Sequence, residues 1–182
     1  MPKIQPNQNP DAKAAAILAD VKKQLGSTPN IFTTMAHSPA VLSFYTGANA
    51  ALSTTKLSAQ LREQIALTVA GLNSCDYCAS AHTTLGKMRK LSDVELTLNL
   101  HGKSSDPATQ TVLTFARKLV EHHGHIADGD MEAVRTAGFG DAEITEIIAL
   151  VGLNIFTNYF NIAVGTEVDF PHVSTSSGVK AA

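Results

Sequence analysis

The sequence predicts an all-α protein, and three observations favour that fold class. Residues that begin or end helices recur along the whole chain, and no clean period-two apolar run lies beside an Asn-Gly or Asp-Gly turn. Ala and Leu, both good helix formers, are among the three commonest residues, and runs of Val, Tyr and Phe are few. Only 5% of the residues are aromatic and there is no Trp. We therefore expect a helical bundle with an aliphatic core.

Four helices are predicted in the N-terminal half, each beginning at a residue that can cap a helix or precede its first turn. Their expected limits are about 10–26, opened by Asn9-Pro10-Asp11 and closed by Gly26; 38–53, opened by Ser38-Pro39; 58–72, capped by Ser58 and broken at Gly71-Leu72-Asn73; and 75–87.

Four further helices are predicted in the C-terminal half from similar signals. They are expected at 92–102, where Ser92 and Glu95 form a capping-box pair; at 106–124, opened by Asp106-Pro107; at 128–138, ended by Gly138; and at 141–164, a long apolar helix. A chain of 182 residues fits a single domain, with irregular tails at about 1–8 and 166–182.

A short internal similarity raises a hypothesis about how the bundle is built. Leu67–Asn73 (LTVAGLN) aligns with Ile148–Asn154 (IALVGLN), and both segments continue into further helical sequence. Duplication of a helical hairpin is one explanation and chance is the other, because only Gly-Leu-Asn is identical.

Composition and charge exclude several classes of function. The net charge of −2, without a basic stripe, argues against nucleic-acid binding. The N-terminus is polar and Pro-rich, which is unlike a signal peptide. The apolar stretch 144–164 carries Glu146 and three Asn residues, which favours a buried helix over a membrane span. We therefore expect a cytoplasmic protein with no membrane partner.

The residues best suited to chemistry are Cys75, Cys78 and His82. Two cysteines three residues apart cannot stabilise a fold as a disulfide framework, so reactivity or metal binding explains them better. On a helix that begins near Cys75 the three side chains share one face, and His82 lies one turn beyond Cys78. The helix N-terminus favours a thiolate, and a thiolate attacks peroxides and disulfides.

Glu63 is a fourth candidate because it precedes an almost wholly apolar helix. A carboxylate in such surroundings has a raised pKa and can transfer protons near neutral pH. The turn at 71–74 predicts antiparallel packing of the two helices, which leaves Glu63 too far along a straight pair to meet Cys75 directly. A tilted packing or a bridging water would close that gap, and both remain open.

The pattern E-x11-C-x-Y-C-x3-H, formed by Glu63, Cys75, Tyr77, Cys78 and His82, resembles the signature of the AhpD-like alkylhydroperoxidase and carboxymuconolactone decarboxylase superfamily. The later stretch from 125 to 161 is similar to peroxidase-related members. The chain departs from well-studied AhpD proteins in having Tyr77 where they carry His. Decarboxylases of the superfamily lack the cysteine pair, which argues against lactone decarboxylation.

The resemblance implies an AhpD-like helical bundle, a homo-oligomer, and reduction of a small hydroperoxide or a disulfide without a bound cofactor. An external dithiol, such as a lipoamide-like group or a partner protein, would restore the thiols. Carried over from the family, Cys78 attacks the peroxide, Cys75 resolves the sulfenic acid that forms, and His82 and Glu63 transfer protons. Tyr77 is expected to pack rather than to react.

The alternative is a zinc-binding or redox-sensing interaction module. Cys75, Cys78 and His82 are three potential zinc ligands, and a fourth would come from the segment His122–His125. Structural zinc sites usually draw ligand pairs from two knuckles, so we expect no metal here. The histidines of that segment suit a helix C-terminus instead.

Overall fold

The computed structural model describes residues 1–176, which contain nine α-helices and no strand. They are α1 (Ala12–Leu25), α2 (Asn30–Met35), α3 (Pro39–Leu52), α4 (Ala59–Leu72), α5 (Asp76–Met88), α6 (Asp93–Leu100), α7 (Pro107–Glu121), α8 (Asp128–Thr136) and α9 (Asp141–Val164). The prediction of an all-α fold is confirmed. Residues 166–176 of the predicted irregular tail contain no helix, and 177–182 lie outside the described residues.

Helix α2 is the element that the sequence did not predict. It spans six residues, follows Pro29, and has no side-chain cap. Ile31 and Thr34 are β-branched, which weakens the local helix signal. Both side chains are buried, so tertiary packing supplies the stability that local propensity lacks.

Two predicted capping arrangements differ in detail from the structure. The cap of α1 is Asp11 rather than Asn9, since the Asp11 carboxylate accepts a hydrogen bond from the Ala14 N–H at 2.8 Å. At α6, the Ser92 hydroxyl accepts from the Glu95 N–H at 3.1 Å, as predicted. The Glu95 carboxylate does not complete a capping box, because it accepts hydrogen bonds from a distant loop instead.

Helix α4 lies at the centre of the bundle and packs against α5, α6, α7 and α9. Eight of its fourteen residues are buried, which explains why its sequence is apolar on almost every side. One face contributes Leu61, Ile65 and Val69 to an aliphatic cluster with α7 and α9. Another face contributes Leu67 and Ala70 to a second cluster, which contains both cysteines.

Helix α9 is the one candidate among residues 1–176 that is long and apolar enough to cross a membrane, a test that core helices also pass. Nine of its residues are buried in the protein, and it packs against α4, α5 and α7. Its composition therefore follows from its place in the core, in agreement with the buried helix that we predict from the sequence.

The hypothesis of a second related hairpin is wrong for the segment that suggested it. Gly71-Leu72-Asn73 ends α4 and leads into the turn before α5. The matching residues Gly152–Asn154 lie in the middle of α9, which continues without a break to Val164. The two glycines also differ in their surroundings, because a Cβ at Gly71 would meet the backbone of Leu100, whereas a Cβ at Gly152 would meet nothing within 4 Å.

This difference predicts opposite effects for the same substitution at the two aligned glycines. A Cβ at Gly71 would lie 1.9 Å from the Leu100 carbonyl oxygen. Gly71→Ala should therefore lower the free energy of unfolding by about 1–3 kcal/mol, because the backbone of α6 must move. A Cβ at Gly152 would meet nothing within 4 Å. Gly152→Ala should therefore raise the free energy of unfolding by up to about 1 kcal/mol, because Ala has the higher helix propensity. Urea denaturation measures both; a stable Gly71→Ala protein would contradict the close packing of α4 and α6.

Candidate active site

The site is built on the tight turn that joins α4 to α5. Ser74 adopts a left-handed conformation with φ of 55°, which reverses the chain within three residues. The Cys75 N–H then donates to the carbonyl oxygen of Ala70 at 2.9 Å. This turn brings Cys75 to the N-cap of α5, where its sulfur accepts a hydrogen bond from the Cys78 N–H at 3.3 Å. A thiol thus occupies the position that Ser or Asp fills in most helices.

Both cysteines are buried, with exposed fractions of 1% for Cys75 and 3% for Cys78, and both are reduced. Their pKa values move in opposite directions. The Cys75 thiol hydrogen-bonds to the Cys78 sulfur and lowers the pKa of Cys78 to about 7, despite the opposing effect of burial. The same interaction, together with burial, raises the pKa of Cys75. One proton is therefore held between the two sulfurs, mainly on Cys75.

Two asparagines of α9 reach the Cys78 sulfur from the opposite side. The Asn161 Nδ2 group donates to Cys78 Sγ at 3.3 Å, and the side chain of Asn158 also lowers the pKa of this thiol. Asn73, in the turn, donates to Asn158 Oδ1 at 3.0 Å and fixes the orientation of that amide. The hydrogen bond from Asn161, with the amide of Asn158 close by, therefore stabilises a buried thiolate without an opposite charge.

Glu63 and His82 form a hydrogen-bonded pair across α4 and α5, with 2.7 Å between Glu63 Oε2 and His82 Nδ1. Glu63 therefore contacts His82 rather than Cys75, because the antiparallel helices place the two side chains at similar distances from the turn. Burial lowers the pKa of His82, but the hydrogen bond and the charge of Glu63 outweigh it, and the net shift is upward.

The imidazole of His82 acts on Cys78 through its charge. A protonated His82 lowers the pKa of Cys78, and in return the thiolate raises the pKa of His82. Between these two side chains the described structure contains no direct hydrogen bond. With Nδ1 held by Glu63, Nε2 is the nitrogen left for proton exchange, and 24% of the side chain is exposed.

The chain after α9 lies against the N-terminal half of α5, where it contacts Asp76, Tyr77 and Ser80. Asp76 accepts hydrogen bonds from the N–H and the hydroxyl of Thr175, at 2.8 and 2.6 Å, and Ser80 accepts from the Val173 N–H at 2.9 Å. Tyr77 contacts Phe170 edge-on at 5.8 Å. These contacts hold the C-terminal segment against α5, next to the turn that carries Cys75.

Tyr77 packs in the core, as we expect from the sequence. Its hydroxyl accepts a hydrogen bond from the Ile31 N–H at 3.2 Å, and its side chain is buried against the second apolar cluster. Burial raises the pKa of Tyr77, so its hydroxyl stays protonated at neutral pH. The Tyr77 side chain thus anchors α2 to α5.

Three polar neighbours of the thiols did not emerge from the sequence as site residues. Asn158 and Asn161 lie beside Cys78, and Tyr45 packs against the apolar cluster that contains it. Burial, with smaller contributions from the charges of Cys78 and Glu63, raises the pKa of Tyr45 to about 12. A signal was present for the asparagines. Asn154, Asn158 and Asn161 recur at helical spacing along one face of an apolar helix, where buried amides are costly unless they have partners.

The structure also bears on the residues named as potential metal ligands. Among residues 1–176, no group of three His, Cys, Asp or Glu side chains is arranged to hold a metal ion. The segment His122–His125 follows the C-terminus of α7, as predicted, and α7 packs against α4, α8 and α9 rather than against α5.

Fold and site together define the class as an all-α protein with a paired thiol at a helix N-terminus, next to a carboxylate–imidazole pair. The sequence model of the carboxymuconolactone decarboxylase family matches residues 39–121, a range that includes all four candidate residues. No curated protein matches the chain. The resemblance seen in the sequence is confirmed over residues 39–121, where the chain matches the carboxymuconolactone decarboxylase family.

Solved structures share the fold over most of the chain. An uncharacterized peroxidase-related protein from Ralstonia eutropha JMP134, described as an alkylhydroperoxidase AhpD core, is 23% identical with a TM-score of 0.81, covering 88% of this chain and 87% of that one. A peroxidase-related protein from Silicibacter sp. TM1040 is 22% identical with a TM-score of 0.79, covering 97% and 95%. The debrominase Bmp8, in complex with 2,3,4-tribromopyrrole, is 18% identical with a TM-score of 0.76, covering 91% of both chains.

Proposed function

We propose that the protein is a thiol-dependent peroxidase that also acts as a disulfide oxidoreductase, with Cys78 as the attacking thiolate. The observation that carries this proposal is the asymmetry of the two thiols. The pKa of Cys78 is lowered to about 7 while that of Cys75 is raised, so Cys78 is the thiol that ionises near neutral pH. This asymmetry supports the order of reaction that the family resemblance implies.

The reaction proceeds in two balanced steps. The Cys78 thiolate attacks the terminal oxygen of a hydroperoxide, the O–O bond breaks, and the products are a sulfenic acid on Cys78 and an alkoxide that takes a proton to become an alcohol. Sulfur loses two electrons and the peroxide gains them. Cys75 then attacks the sulfenic acid, forming the disulfide and releasing water.

The pair Glu63–His82 is suited to supplying the proton for the first step. His82 is partly exposed, so it can exchange protons with solvent, and Glu63 favours its protonated form. A protonated imidazole both stabilises the Cys78 thiolate and donates a proton to the leaving alkoxide. After His82 has donated its proton, the imidazole is neutral, so no positive charge remains beside a sulfur that is no longer a thiolate.

Turnover requires a reductant, for which we propose an external dithiol of the lipoamide type or a small redox protein. Thiol–disulfide exchange with such a dithiol restores both cysteines, in a reducing compartment such as the cytoplasm. We also propose a homo-oligomer. Its support is the apolar surface exposed on α3 and α9, including Phe44 and Tyr159, and sedimentation measures the subunit number.

Thiol titration of the purified protein, before and after one equivalent of hydrogen peroxide, tests the function. We expect two free thiols before treatment and none afterwards, with full recovery on addition of a dithiol. Elemental analysis for zinc on the same sample tests the alternative of a metal-binding module. Stoichiometric zinc with two unreactive thiols would contradict the peroxidase and support that alternative.

A further inference from the structure

Two buried polar atoms beside Cys78 have no hydrogen-bond partner among the described residues. They are Asn158 Nδ2, a donor, and Asn161 Oδ1, an acceptor. Asn158 is fully buried and 3% of Asn161 is exposed. An unpaired buried donor or acceptor costs about 1–3 kcal/mol, and native proteins contain few of them. Two such atoms at one reactive sulfur therefore call for a ligand that satisfies both.

The surrounding contacts fix the direction in which each amide is used. Asn73 donates to Asn158 Oδ1, so the NH₂ group of Asn158 must point elsewhere. Asn161 donates from Nδ2 to Cys78 Sγ at 3.3 Å, which holds its Oδ1 within the same amide plane, a short distance from the sulfur. The two side chains lie one turn apart on the same face of α9.

We propose that Asn158 and Asn161 form the binding site for the –OOH group of the substrate. The –OOH group has one O–H donor, which matches the free acceptor Asn161 Oδ1. It also has two oxygen acceptors, one of which matches the free donor Asn158 Nδ2. In this arrangement Asn161 Oδ1 accepts the hydrogen bond of the terminal O–H, the oxygen that Cys78 attacks. Asn158 Nδ2 donates to the inner oxygen, which leaves as the alkoxide. This inference rests on the proposed function and names residues and a substrate group for it.

The two asparagines therefore have different tasks in the same step. Asn161 stabilises the Cys78 thiolate before reaction and orients the peroxide. Asn158 acts mainly as the O–O bond breaks, since its hydrogen bond strengthens as negative charge develops on the leaving oxygen. Such a donor resembles an oxyanion hole, where loss of one hydrogen bond slows the reaction about 10²–10³-fold. An alkylating agent has no leaving oxygen and gains nothing from it.

The test compares two reactions of Cys78 in one protein. We measure the rate of sulfenic acid formation with hydrogen peroxide and the rate of alkylation with iodoacetamide, both at a pH where the thiol is fully ionised. Asn158→Leu should lower the ratio of the sulfenic acid formation rate to the alkylation rate about tenfold to hundredfold. The control is Asn154→Leu on the same buried face, whose amide bonds to the Leu150 carbonyl of its own helix and should leave the ratio unchanged.

Circular dichroism and the iodoacetamide rate itself report whether each variant is folded. If Asn158→Leu does not fold, Asn158→Ala removes the donor without adding bulk and takes its place. An unchanged ratio in a folded Asn158 variant would overturn the inference while leaving the peroxidase intact. A wild-type protein that alkylates at Cys78 but does not react with peroxide would overturn both.

Discussion

Cys78→Ser is expected to abolish hydroperoxide consumption, with a loss of at least about 10³-fold in rate. The serine hydroxyl does not ionise near neutral pH and so provides no nucleophile for the O–O bond. Cys75→Ser is the matched variant one helical turn away. It retains the attacking sulfur but cannot form the disulfide, so a single turnover should leave a sulfenic acid on Cys78 that dimedone traps.

The pair of variants distinguishes the two possible orders of reaction. In Cys75→Ser the hydrogen bond that contributes most to the lowered pKa of Cys78 is replaced by one from a hydroxyl. The first step should therefore persist at a reduced rate near pH 7 and recover at higher pH. A trapped adduct that requires Cys75 rather than Cys78 would reverse the roles that we assign.

His82→Ala is expected to shift the reactivity of Cys78 to higher pH. The protonated imidazole lowers the pKa of Cys78, so its removal raises that pKa and leaves less thiolate at neutral pH and below. Each unit of increase lowers the thiolate fraction at pH 6 about tenfold. The rates of variant and wild type should converge above about pH 9, where Cys78 is ionised in both proteins. Iodoacetamide alkylation of Cys78, followed by mass spectrometry, measures this profile.

Glu63→Gln tests the route by which the carboxylate acts. Because Glu63 raises the pKa of His82, the variant should lower that pKa, leave less of the imidazole protonated, and shift the Cys78 profile in the same direction as His82→Ala. Combining the two substitutions should add little, since Glu63 acts through the imidazole. His101→Ala, at the C-terminus of α6, is the control and should leave the profile unchanged. If the two substitutions shift the Cys78 pH profile additively, Glu63 does not act through His82.

Much of the fold follows from residues that act locally. Caps such as Ser38, Ser58 and Asp106 accept the hydrogen bonds that their positions predict, and eight of the nine helices in residues 1–176 lie within about three residues of their expected limits. Helix α2 was missed because its stability comes from side chains buried against other elements. Local propensity does not contain that information.

The candidate site divides in the same way between local and long-range structure. Cys75, Cys78 and His82 share one helix, so their spacing alone predicts that they lie on one face. The contact of Glu63 with His82 depends on how α4 and α5 align. The contact of Asn161 with Cys78 joins residues 83 positions apart and depends on where α9 crosses α5. Sequence spacing does not specify either alignment.

The burial of Cys78 explains why the protein needs amides as well as a charge at the sulfur. Burial alone would raise the pKa of a thiol and make it unreactive. In this site hydrogen bonds from Cys75 and Asn161, together with the charge of His82, outweigh that effect and bring the pKa to about 7.

The difference in acidity between the two thiols can be measured directly in the folded wild-type protein. Alkylation of Cys75 and Cys78 by iodoacetamide, quantified separately by mass spectrometry between pH 5 and 10, gives a midpoint for each sulfur. We predict a midpoint near pH 7 for Cys78, with Cys75 unreactive until much higher pH. Equal midpoints near the ordinary thiol value of about 8.5, or earlier reaction of Cys75, would contradict the assignment of Cys78 as the attacking thiolate.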